Sequence, residues 1–505
     1  MMPDPAISRT KPPDLTRSGQ QCLLLGAKGS GMTALADILL DLGQQVTGLD
    51  HGVCSAAPVP FGTVPQMQLL PWNDTNDAEV TQRSFDVCIA SPAVAAQPLV
   101  SRIRLSGIPV LSLHECLAHV FSNCRQLCVA GTHGKSTTSA MLAWILHVTG
   151  RNPGFFVGAH QPALECSGRA IRSSRIRCHE PSGDDTWCVL ESCEFSRSFH
   201  HFRPQIVALT GIERDHFDCF PDQASEDSAF QQFLQQLPKD GVVVLNADCQ
   251  RSRRVATAAD RRQVLFRISD DNLFTADDAT CWTADQISIR SGATTFRLHA
   301  PQGDRDTVLN ASLTVPGRHN VCNAVAAIVA AGEVGVDVEE SCRALATFSG
   351  IRRRFERRGH HHGITLIDDY AHHPSAIRTT LLTARAVYPG RRILVAFEPH
   401  QLVRTEALFS EFVNSLQLAD EVLLLPVLPA RENVTHRVCC RTSGRMVKEL
   451  NRLGTKAFLF ANLDQIVSRL DHSGRPTDIF ITMGAGRTNA IHDQLIERLR
   501  RDSVA

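Results

Sequence analysis

The chain has 505 residues, which is too many for a single hydrophobic core, so we expect two to four domains. Hydrophobic residues make up 43% of the sequence and charged residues 21%, the composition of an ordinary globular protein. Lys and Arg together number 52, as do Asp and Glu, so no overall charge favours nucleic acid or an anionic membrane, and any anionic ligand needs a local site.

The cellular compartment is predicted from the cysteines and from the distribution of apolar residues. The 17 cysteines are scattered without a Cys-x-x-Cys pair, and no apolar run has the length of a signal-peptide core or a membrane span. We therefore expect a protein of the reducing cytoplasm, without membrane insertion, whose cysteines are mostly buried. Residues 1–19 are polar and rich in proline and are predicted to be a disordered tail.

An α/β fold with parallel sheets is predicted, because apolar strand-like runs alternate with helical patterns through most of the chain. The first run, "CLLL" at residues 22–25, leads into the glycine-rich "GAKGSG" and the helical "MTALADILLDLG". Further strands are predicted at "QVTGLD", "FDVCIA" and "IPVLS". Together these elements predict a dinucleotide-fold-like domain over residues 20–122.

The stretch "CVAGTHGKSTTSAMLAWIL" is typical of a phosphate-binding loop, although Val129 stands where the common pattern has its first glycine. An apolar strand leads into Gly131 and Gly134 and a helix follows, so that backbone N–H groups and the helix N-terminus point at an anion. Lys135 is predicted to contact terminal phosphates, and Ser136 is predicted to ligate Mg²⁺. The alternative is a plain strand-to-helix turn with a solvated lysine.

Acidic residues follow two further strands of this second domain. Glu191 lies at the end of "WCVLES", where a carboxylate beside a phosphate loop can hold Mg²⁺. The stretch "GIERDHFD" follows the strand "IVALT" and can hold a second metal through four residues: Glu213, Asp215, His216 and Asp218. In both places the alternative is a solvated acidic surface. The segment 160–186 lacks periodicity and is predicted to be a loop or a variable insertion.

Polar residues also surround the start of an Ala-rich helix near the end of the second domain. The stretch "VPGRHNVCNAVAA" carries His319, Asn320 and Asn323, and asparagine amides suit the donor–acceptor edge of adenine. Helix capping is the alternative role for these residues. The basic segment "GIRRRFERRG" follows at a domain junction, where it either clamps phosphates or forms a solvated face.

A third α/β domain is predicted from residue 351 onward. Six candidate site residues follow two of its strands: Asp368, Asp369, His372, His373, His400 and Arg404. Because ligands bind at the carboxyl ends of strands in open α/β sheets, we expect these ends and those of the second domain to face one cleft. The triplet His360–His362 stands beside a turn glycine and is predicted to be a solvated loop.

These motifs occur in the same order in the Mur ligases, and the chain resembles that family over about residues 20–490. The matching stretches are "GTHGKSTT", "ES…F…F", "IERDHFD", "PGRHNVCNAVAA", "RRRFE", "DDYAHHP" and "EPHQLVRT". The resemblance implies an N-terminal Rossmann-like domain that binds UDP (20–122), a central P-loop-type ATPase domain (123–350) and a C-terminal Rossmann-like domain that brings in the amino acid (351–505).

The implied activity is that of an ATP- and Mg²⁺-dependent ligase of peptidoglycan precursor synthesis. Such an enzyme joins L-alanine to the lactyl carboxylate of UDP-N-acetylmuramate. The carboxylate attacks the γ-phosphate of ATP to give an acyl phosphate, and the alanine amine then displaces phosphate. The resemblance implies no nucleic-acid partner, and the expected assembly is a monomer or a homodimer.

Carried over residue by residue, the resemblance implies four sets of site residues. The catalytic set is Lys135, Glu191, His216, His373, His400 and Arg404. The nucleotide set is Gly131, Thr132, His133, Gly134, Lys135, Ser136, Thr137, His319, Asn320, Asn323, Arg353 and Asp369. The UDP-sugar set is Gly26, Lys28, Gly29, Gly31, Met32 and Asp50, and the Mg²⁺ set is Ser136, Glu191 and His216. Within these sets the asparagines meet adenine, Arg353 a phosphate and Asp369 the ribose, whereas His373, His400 and Arg404 lie near the alanine.

The sequence also departs from the family pattern. Lys28 stands at a usual glycine, where it can add a charge contact to the UDP diphosphate. The stretch "ESCEFS" lacks the second and third acidic residues that usually follow the first glutamate. Gly211 replaces a usual asparagine, and Gln401 replaces an arginine near the proposed alanine pocket, which weakens the inference of amino-acid specificity.

Three other functions remain open from the sequence. A ligase that joins a preformed tripeptide to the same UDP sugar in wall recycling would share the first two domains and differ only in the C-terminal pocket. A folate-polyglutamating ligase shares the ATP loop but usually lacks an N-terminal domain of this kind. A non-catalytic nucleotide-binding scaffold would be expected to lose Lys135, Glu191 or His216, and all three are present.

Overall fold

A computed structural model of the chain describes residues 13–51, 67–170, 186–269, 280–290, 292–301 and 308–502. The strands form three separate sheets, and each sheet draws its strands from one of the three predicted domain ranges. Helices connect most of the parallel strands, so the predicted three-domain α/β fold is confirmed. Among the described residues, no helix combines the length and the apolar character that crossing a membrane requires.

The N-terminal sheet is fully parallel, with the strand order β3-β2-β1-β4-β5 of a dinucleotide-binding fold. Its central strand β1 is a nearly continuous apolar run, as expected for a parallel strand covered on both faces. The elements of this domain are β1 (Gln21–Leu25), α1 (Ser30–Asp41), β2 (Gln45–Asp50), β3 (Gln68–Pro71), α2 (Asp74–Gln82), β4 (Val87–Ala90), α3 (Pro98–Leu105), β5 (Val110–Ser112) and α4 (Leu113–Val120).

The predicted disordered tail is too long. Residues 1–12 lie outside the described part of the chain, but residues 13–19 pack on the N-terminal domain. Leu15 is fully buried in the apolar core, and the Gln44 amide donates to the carbonyl oxygens of Leu15 and Arg17, at 2.8 Å each. The composition of the segment did not reveal these two long-range contacts.

The central sheet has the strand order β15-β14-β13-β12-β11-β10-β6-β9-β7-β8. The seven neighbouring strands β13, β12, β11, β10, β6, β9 and β7 are parallel. The outer strands β8, β14 and β15 are antiparallel to their neighbours. Its elements are β6 (Arg125–Ala130), α5 (Lys135–Val148), β7 (Gly154–Gln161), β8 (Cys166–Arg169), β9 (Trp187–Ser192), β10 (Pro204–Leu209), α6 (Gln223–Leu234), β11 (Val242–Asn246), α7 (Gln250–Thr257), β12 (Arg262–Ile268), β13 (Trp282–Arg290), β14 (Ala293–His299), β15 (Val308–Leu313), α8 (Arg318–Gly332) and α9 (Val338–Leu345).

The C-terminal sheet has the order β16-β17-β21-β18-β19-β20, and all its strands are parallel except the edge strand β16. Its elements are β16 (Glu356–His361), β17 (Ile364–Asp369), α10 (Pro374–Val387), β18 (Ile393–Phe397), α11 (Leu402–Ala407), α12 (Phe409–Leu416), β19 (Glu421–Leu424), α13 (His436–Arg452), β20 (Lys456–Leu459), α14 (Leu463–Ser473), β21 (Ile479–Met483) and α15 (Ala490–Asp502).

Two predicted loops contain strands. The segment 160–186 includes β8, although residues 171–185 lie outside the described part. The histidine triplet was predicted to be solvated, but its first two residues belong to β16, and His361 is buried with Nε2 2.9 Å from the Asp471 carboxylate. Both strands lie at sheet edges, where the pairing partner is remote or the alternation of apolar residues is weak.

The first two domains are joined through α1, which packs on the hairpin of β7 and β8. The Asp37 and Asp41 carboxylates accept the backbone N–H groups of Ser167 (2.8 Å) and Ala170 (3.1 Å). A Cβ atom at Gly168 would lie only 2.5 Å from the carbonyl oxygen of Ala34, so the close approach of strand and helix requires glycine there. One apolar core spans both domains.

This packing predicts that Gly168→Ala destabilises the protein by about 1–3 kcal/mol, because the new methyl group overpacks the helix backbone. Gly332→Ala is the matched control, since no atom lies within 4 Å of its added Cβ and its φ is ordinary. Urea denaturation of both variants measures the difference. Equal stability of the two variants would contradict the described packing.

Candidate functional site

The predicted phosphate loop connects β6 to α5, and its backbone geometry requires glycine at two positions. Gly131 has φ +130°, and a Cβ there would lie 2.4 Å from the Thr210 hydroxyl oxygen. Gly134 has φ +79°, and its Cβ would lie 2.4 Å from Oδ1 of Asn323. The Thr132 N–H donates to the Gly211 carbonyl oxygen at 2.8 Å, which ties the loop to the strand end beside it.

Lys135 is the first residue of α5, and its ammonium group is held inside the loop. It donates to the carbonyl oxygens of Gly131 and Thr132 and pairs with the Glu194 carboxylate at 2.9 Å. Glu194 is completely buried. Burial by itself lowers the pKa of Lys135, but the carboxylates of Glu194 and Glu191 outweigh it and raise the pKa above its usual value. Lys135 is therefore a permanent buried cation, which excludes the solvated-lysine alternative.

Ser136 and Glu191 meet beside this lysine. Strands β6 and β9 are parallel neighbours, and the register pairs Val129 with Glu191, so the carboxylate emerges next to the loop. The Ser136 hydroxyl donates to Oε1 of Glu191 at 2.8 Å, and the Gly158 N–H donates to Oε2 at 2.6 Å. A hydroxyl and a carboxylate oxygen at this spacing are the hard oxygen ligands that Mg²⁺ prefers, so the residues fit a bound Mg²⁺.

A second group of possible metal ligands includes Glu194, the partner of Lys135. Cys193, Glu194 and His216 offer ligand atoms within 4.8 Å of one another, and Nε2 of His216 is 3.7 Å from the Glu194 carboxylate. Burial raises the pKa of the Cys193 thiol to about 12, so it stays protonated and is a poor ligand. Glu194 and His216 remain as the ligands that suit a divalent cation.

Glu194 was missed in the sequence analysis. The stretch "ESCEFS" was predicted to lack the second and third acidic residues of the family pattern, yet Glu194 stands three residues after Glu191 and carries the counter-charge of Lys135. No local pattern distinguishes it from a solvated acidic residue, because its partner Lys135 lies 59 residues away in the sequence. The short 3-10 segment Phe195–His201, which is kinked at Ser196 and Arg197, follows Glu194 directly.

The stretch between β10 and α6 forms contacts with the C-terminal domain. Asp215 accepts a hydrogen bond of 2.7 Å from Nε of Arg404, and both side chains are buried. Burial raises the pKa of Asp215, but the cationic neighbours, His216 and Arg404 foremost, lower it well below its usual value. His216 has φ +50°, and its N–H donates to Asp215 at 2.7 Å. The two domains therefore share a buried ion pair.

Ser375 forms a second junction between the two domains. Its hydroxyl donates to Glu213 at 2.7 Å and lies 2.7 Å from Nδ1 of His373 and 2.9 Å from Nε2 of His133. Burial raises the pKa of Glu213, but hydrogen bonds and charges from its histidine and serine neighbours outweigh it, and the pKa is about 2. His133 and His373, predicted in different sets, thus contact the same hydroxyl group.

The residues predicted near the alanine lie together on the C-terminal side of this junction. The main-chain oxygen of His400 accepts from Arg404 at 3.3 Å, and Gln401 has φ +68° and donates from Nε2 to Asp218 at 3.1 Å. Burial lowers the pKa of His373 and of His400 to about 4 each. Both imidazoles are therefore neutral at pH 7 and can accept a proton.

Of the residues predicted to contact adenine, Asn323 lies beside the phosphate loop. Asn323 accepts a hydrogen bond of 3.3 Å from the Thr138 hydroxyl and donates to Asn320, which itself donates to the Pro316 carbonyl oxygen at 2.7 Å. Burial lowers the pKa of His319, which lies against Gly317, to about 4.

Arg353 and Asp369 are engaged within the C-terminal domain. Arg353 has φ +59°, lies 3.3 Å from Asp368 and donates to the Gly484 carbonyl oxygen at 2.9 Å. Asp369 accepts the N–H groups of Phe355 and Ala371 at 2.8 Å each. Their predicted contacts with phosphate and ribose stay predictions.

The predicted UDP-sugar residues surround the turn from β1 to α1. Gly26 has φ +77° and little space for a side chain, because a Cβ would lie 2.5 Å from the Ser91 hydroxyl oxygen. The Lys28 N–H donates to the Asp50 carboxylate at 2.7 Å, which fixes the loop to the end of β2. Met32 is buried in the core, so its side chain supports the loop from behind.

Two parts of the chain match family models of known domains. Residues 129–331 match the Mur ligase middle domain, and residues 353–486 match the Mur ligase, glutamate ligase domain. Together these two matches cover the phosphate loop, the central sheet except the first four residues of β6, and the whole C-terminal sheet.

Relatives match nearly the whole chain. It is 34% identical to a UDP-N-acetylmuramate–L-alanine ligase of Solidesulfovibrio magneticus, over 92% of this chain and 94% of that protein. It is 32% identical to the ligase of the same name from Nitratidesulfovibrio vulgaris, over 94% of this chain and 97% of that protein.

Two solved structures share the fold. The UDP-N-acetylmuramate-alanine ligase of Thermotoga maritima gives a TM-score of 0.75 at 24% identity, covering 96% of this chain and 100% of that chain. A murein peptide ligase of Psychrobacter arcticus gives 0.71 at 24% identity, covering 95% and 98%. At this level of identity the likeness extends to the fold alone.

The buried ion pair at the loop predicts that Glu194→Gln lowers the free energy of unfolding by about 3–5 kcal/mol, because Lys135 loses its counter-charge. Glu165→Gln, at an exposed position, serves as the control and should change stability by no more than about 0.5 kcal/mol. Chemical denaturation without nucleotide measures both. A Glu194→Gln variant as stable as the control would contradict this role.

The lowered histidine pKa values predict a loss of stability in acid. Between pH 6.5 and pH 4 the unfolded chain protonates His400 while the folded chain does not, so the free energy of unfolding falls as the pH falls. His400→Gln should reduce that loss by up to about 3 kcal/mol. Urea denaturation at pH 4, 5, 6 and 7 checks it, and an identical pH dependence in the two proteins would contradict a lowered pKa.

Proposed function

This chain belongs to the Mur ligase family, and we propose that it joins L-alanine to the lactyl carboxylate of UDP-N-acetylmuramate at the expense of ATP. The proposal rests on the phosphate loop with its buried lysine and on the buried Arg404–Asp215 pair, which joins the C-terminal domain to the stretch that follows β10 beside that loop. Relatives that carry the name of this activity span all three domains. The reaction is a step of peptidoglycan precursor synthesis, and because it uses ATP and a nucleotide sugar, we place it in the cytoplasm.

ATP would bind with its phosphates on the N–H groups of the loop and on Lys135. The ammonium group already lies among carbonyl oxygens at the N-terminus of α5, so phosphate oxygens can replace Glu194 as its partner. Ser136 and Glu191 would hold one Mg²⁺ and His216 would contact a second, and these ions would neutralise the charge of the phosphates. The nearby Asn320 and Asn323 would contact adenine, with His319 behind them.

The first half-reaction would transfer the γ-phosphoryl group to the sugar. An oxygen of the lactyl carboxylate forms a bond to phosphorus, the bond to the bridging oxygen breaks, and ADP leaves with that electron pair. The result is an acyl phosphate. Lys135 stabilises the charge that develops during transfer, because it is fixed, cationic and shielded from water.

The second half-reaction would form the amide bond. The alanine nitrogen attacks the acyl carbon, the carbon–oxygen bond to phosphate breaks, and inorganic phosphate leaves. Arg404, whose guanidinium pairs with Asp215, would hold the alanine carboxylate. His373 and His400, which are neutral at pH 7, would lie near the attacking amine.

The N-terminal domain would supply the sugar nucleotide. The turn at Gly26, Gly29 and Gly31 brings main-chain N–H groups to the start of α1, which is a suitable place for a diphosphate. Asp50 fixes this turn, and Lys28 adds a positive charge to it. Because α1 is packed on β7 and β8, the sugar is held at a fixed position relative to the central domain.

The proposal is tested by phosphate release from ATP and Mg²⁺ with UDP-N-acetylmuramate, comparing L-alanine with the L-Ala-γ-D-Glu-diaminopimelate tripeptide. We expect release with L-alanine, and release only with the tripeptide would overturn the proposed substrate. Lys135→Ala should lower the rate at least about 100-fold, since it removes the fixed charge at the transferred phosphoryl group. Unchanged turnover in that variant would contradict the assigned role of the loop.

A further inference from the structure

Arg431 reaches the proposed alanine pocket from the segment between β19 and α13. Its Nη2 atom donates to Oδ2 of Asp218 at 2.7 Å, and its guanidinium group lies over the ring of Phe195, 4.1 Å from the centroid. Both partners belong to the central domain. The same oxygen of Asp218 accepts from Gln401 at 3.1 Å, so the ends of the Gln401 and Arg431 side chains are neighbours.

Arg431 supplies the positive charge that pairs with Asp218. Arg404 and Asp215 form a second ion pair. Gln401 is uncharged, and burial lowers the pKa of His400 to about 4, which makes that imidazole neutral at pH 7.

The Glu432 carboxylate also lies here, because it accepts from the N–H groups of Leu402 and Val403, the latter at 2.9 Å. Without Arg431, Asp218 and Glu432 would give this cluster an excess of negative charge, which repels the carboxylate of an incoming amino acid. The Arg431 guanidinium reduces that excess.

Arg431 is also more available to a ligand than Arg404. The side chain of Arg404 is 3% exposed and that of Arg431 is 39% exposed. A guanidinium carries five N–H donors in a planar fork that matches a carboxylate, so Arg431 can keep Asp218 on one edge and bind a second carboxylate on the other. The family pattern has an arginine at position 401. In this chain Arg431, which follows 30 residues later in the sequence, supplies a guanidinium group beside Gln401 instead.

We propose that Arg431 is a substrate-binding residue that holds the α-carboxylate of the incoming amino acid together with Arg404, in place of an arginine at position 401. The assignment rests on the proposed amide-forming reaction. It makes Arg431 a determinant of specificity, since an acceptor without an α-carboxylate cannot use it.

The test is steady-state kinetics of Arg431→Gln with each of the three substrates varied in turn. We expect the KM for L-alanine to rise roughly 10- to 100-fold, the effect of losing a hydrogen bond to a charged group. The KM values for ATP and UDP-N-acetylmuramate should stay within about twofold. An unchanged KM for L-alanine, or an equal rise in all three KM values, would overturn the assignment.

Two further variants keep the test independent of folding. Arg445→Gln is the matched control, because Arg445 also pairs with a carboxylate (Glu406, 2.9 Å) and lies over a phenylalanine ring (Phe409, 4.7 Å). It should leave every KM unchanged.

The double variant Gln401→Arg/Arg431→Gln restores a guanidinium beside Asp218 and should recover at least half of the lost affinity on a logarithmic scale. Failure to recover any affinity would overturn the proposal. A wild-type protein that is inactive with L-alanine would instead refute the proposed function.

Discussion

The buried ion pair between Lys135 and Glu194 is the interaction on which the site depends. A lysine at the N-terminus of α5 would lose its charge if it were buried alone, and the completely buried Glu194 keeps it cationic. The backbone of the loop also depends on this lysine, because its ammonium group bonds the carbonyl oxygens of Gly131 and Thr132. Phosphate oxygens can take the place of Glu194, which would then be free to serve the metal beside His216.

The two domain interfaces differ in the forces that hold them. The N-terminal and central domains share one apolar core, whereas the buried apolar clusters of the C-terminal domain contain none of the central-domain residues that the structure describes. Ion pairs and hydrogen bonds join the C-terminal domain to the rest at Arg404–Asp215 and at Ser375. Polar contacts of this kind exchange with water at little cost, so this interface suits a domain that must open to admit substrates.

The local parts of the site could be predicted from the sequence, and the long-range parts could not. The phosphate loop is encoded in eight consecutive residues, with a strand before it and a helix after it. Glu191 could be predicted because it stands at the end of an apolar strand. Glu194, Ser375 and Arg431 gain their roles only from partners 59, 162 and 213 residues away in sequence, respectively. The edge strand β8 and the packing of residues 13–19 were missed for the same reason, since neither has a local pattern of apolar residues.

A crystal structure with a non-hydrolysable ATP analogue and Mg²⁺ would test the central claim most directly. We expect Nζ of Lys135 to leave Glu194 and contact the terminal phosphates, while a metal ion binds Ser136 and Glu191. An analogue bound elsewhere, with Lys135 still paired to Glu194, would contradict it.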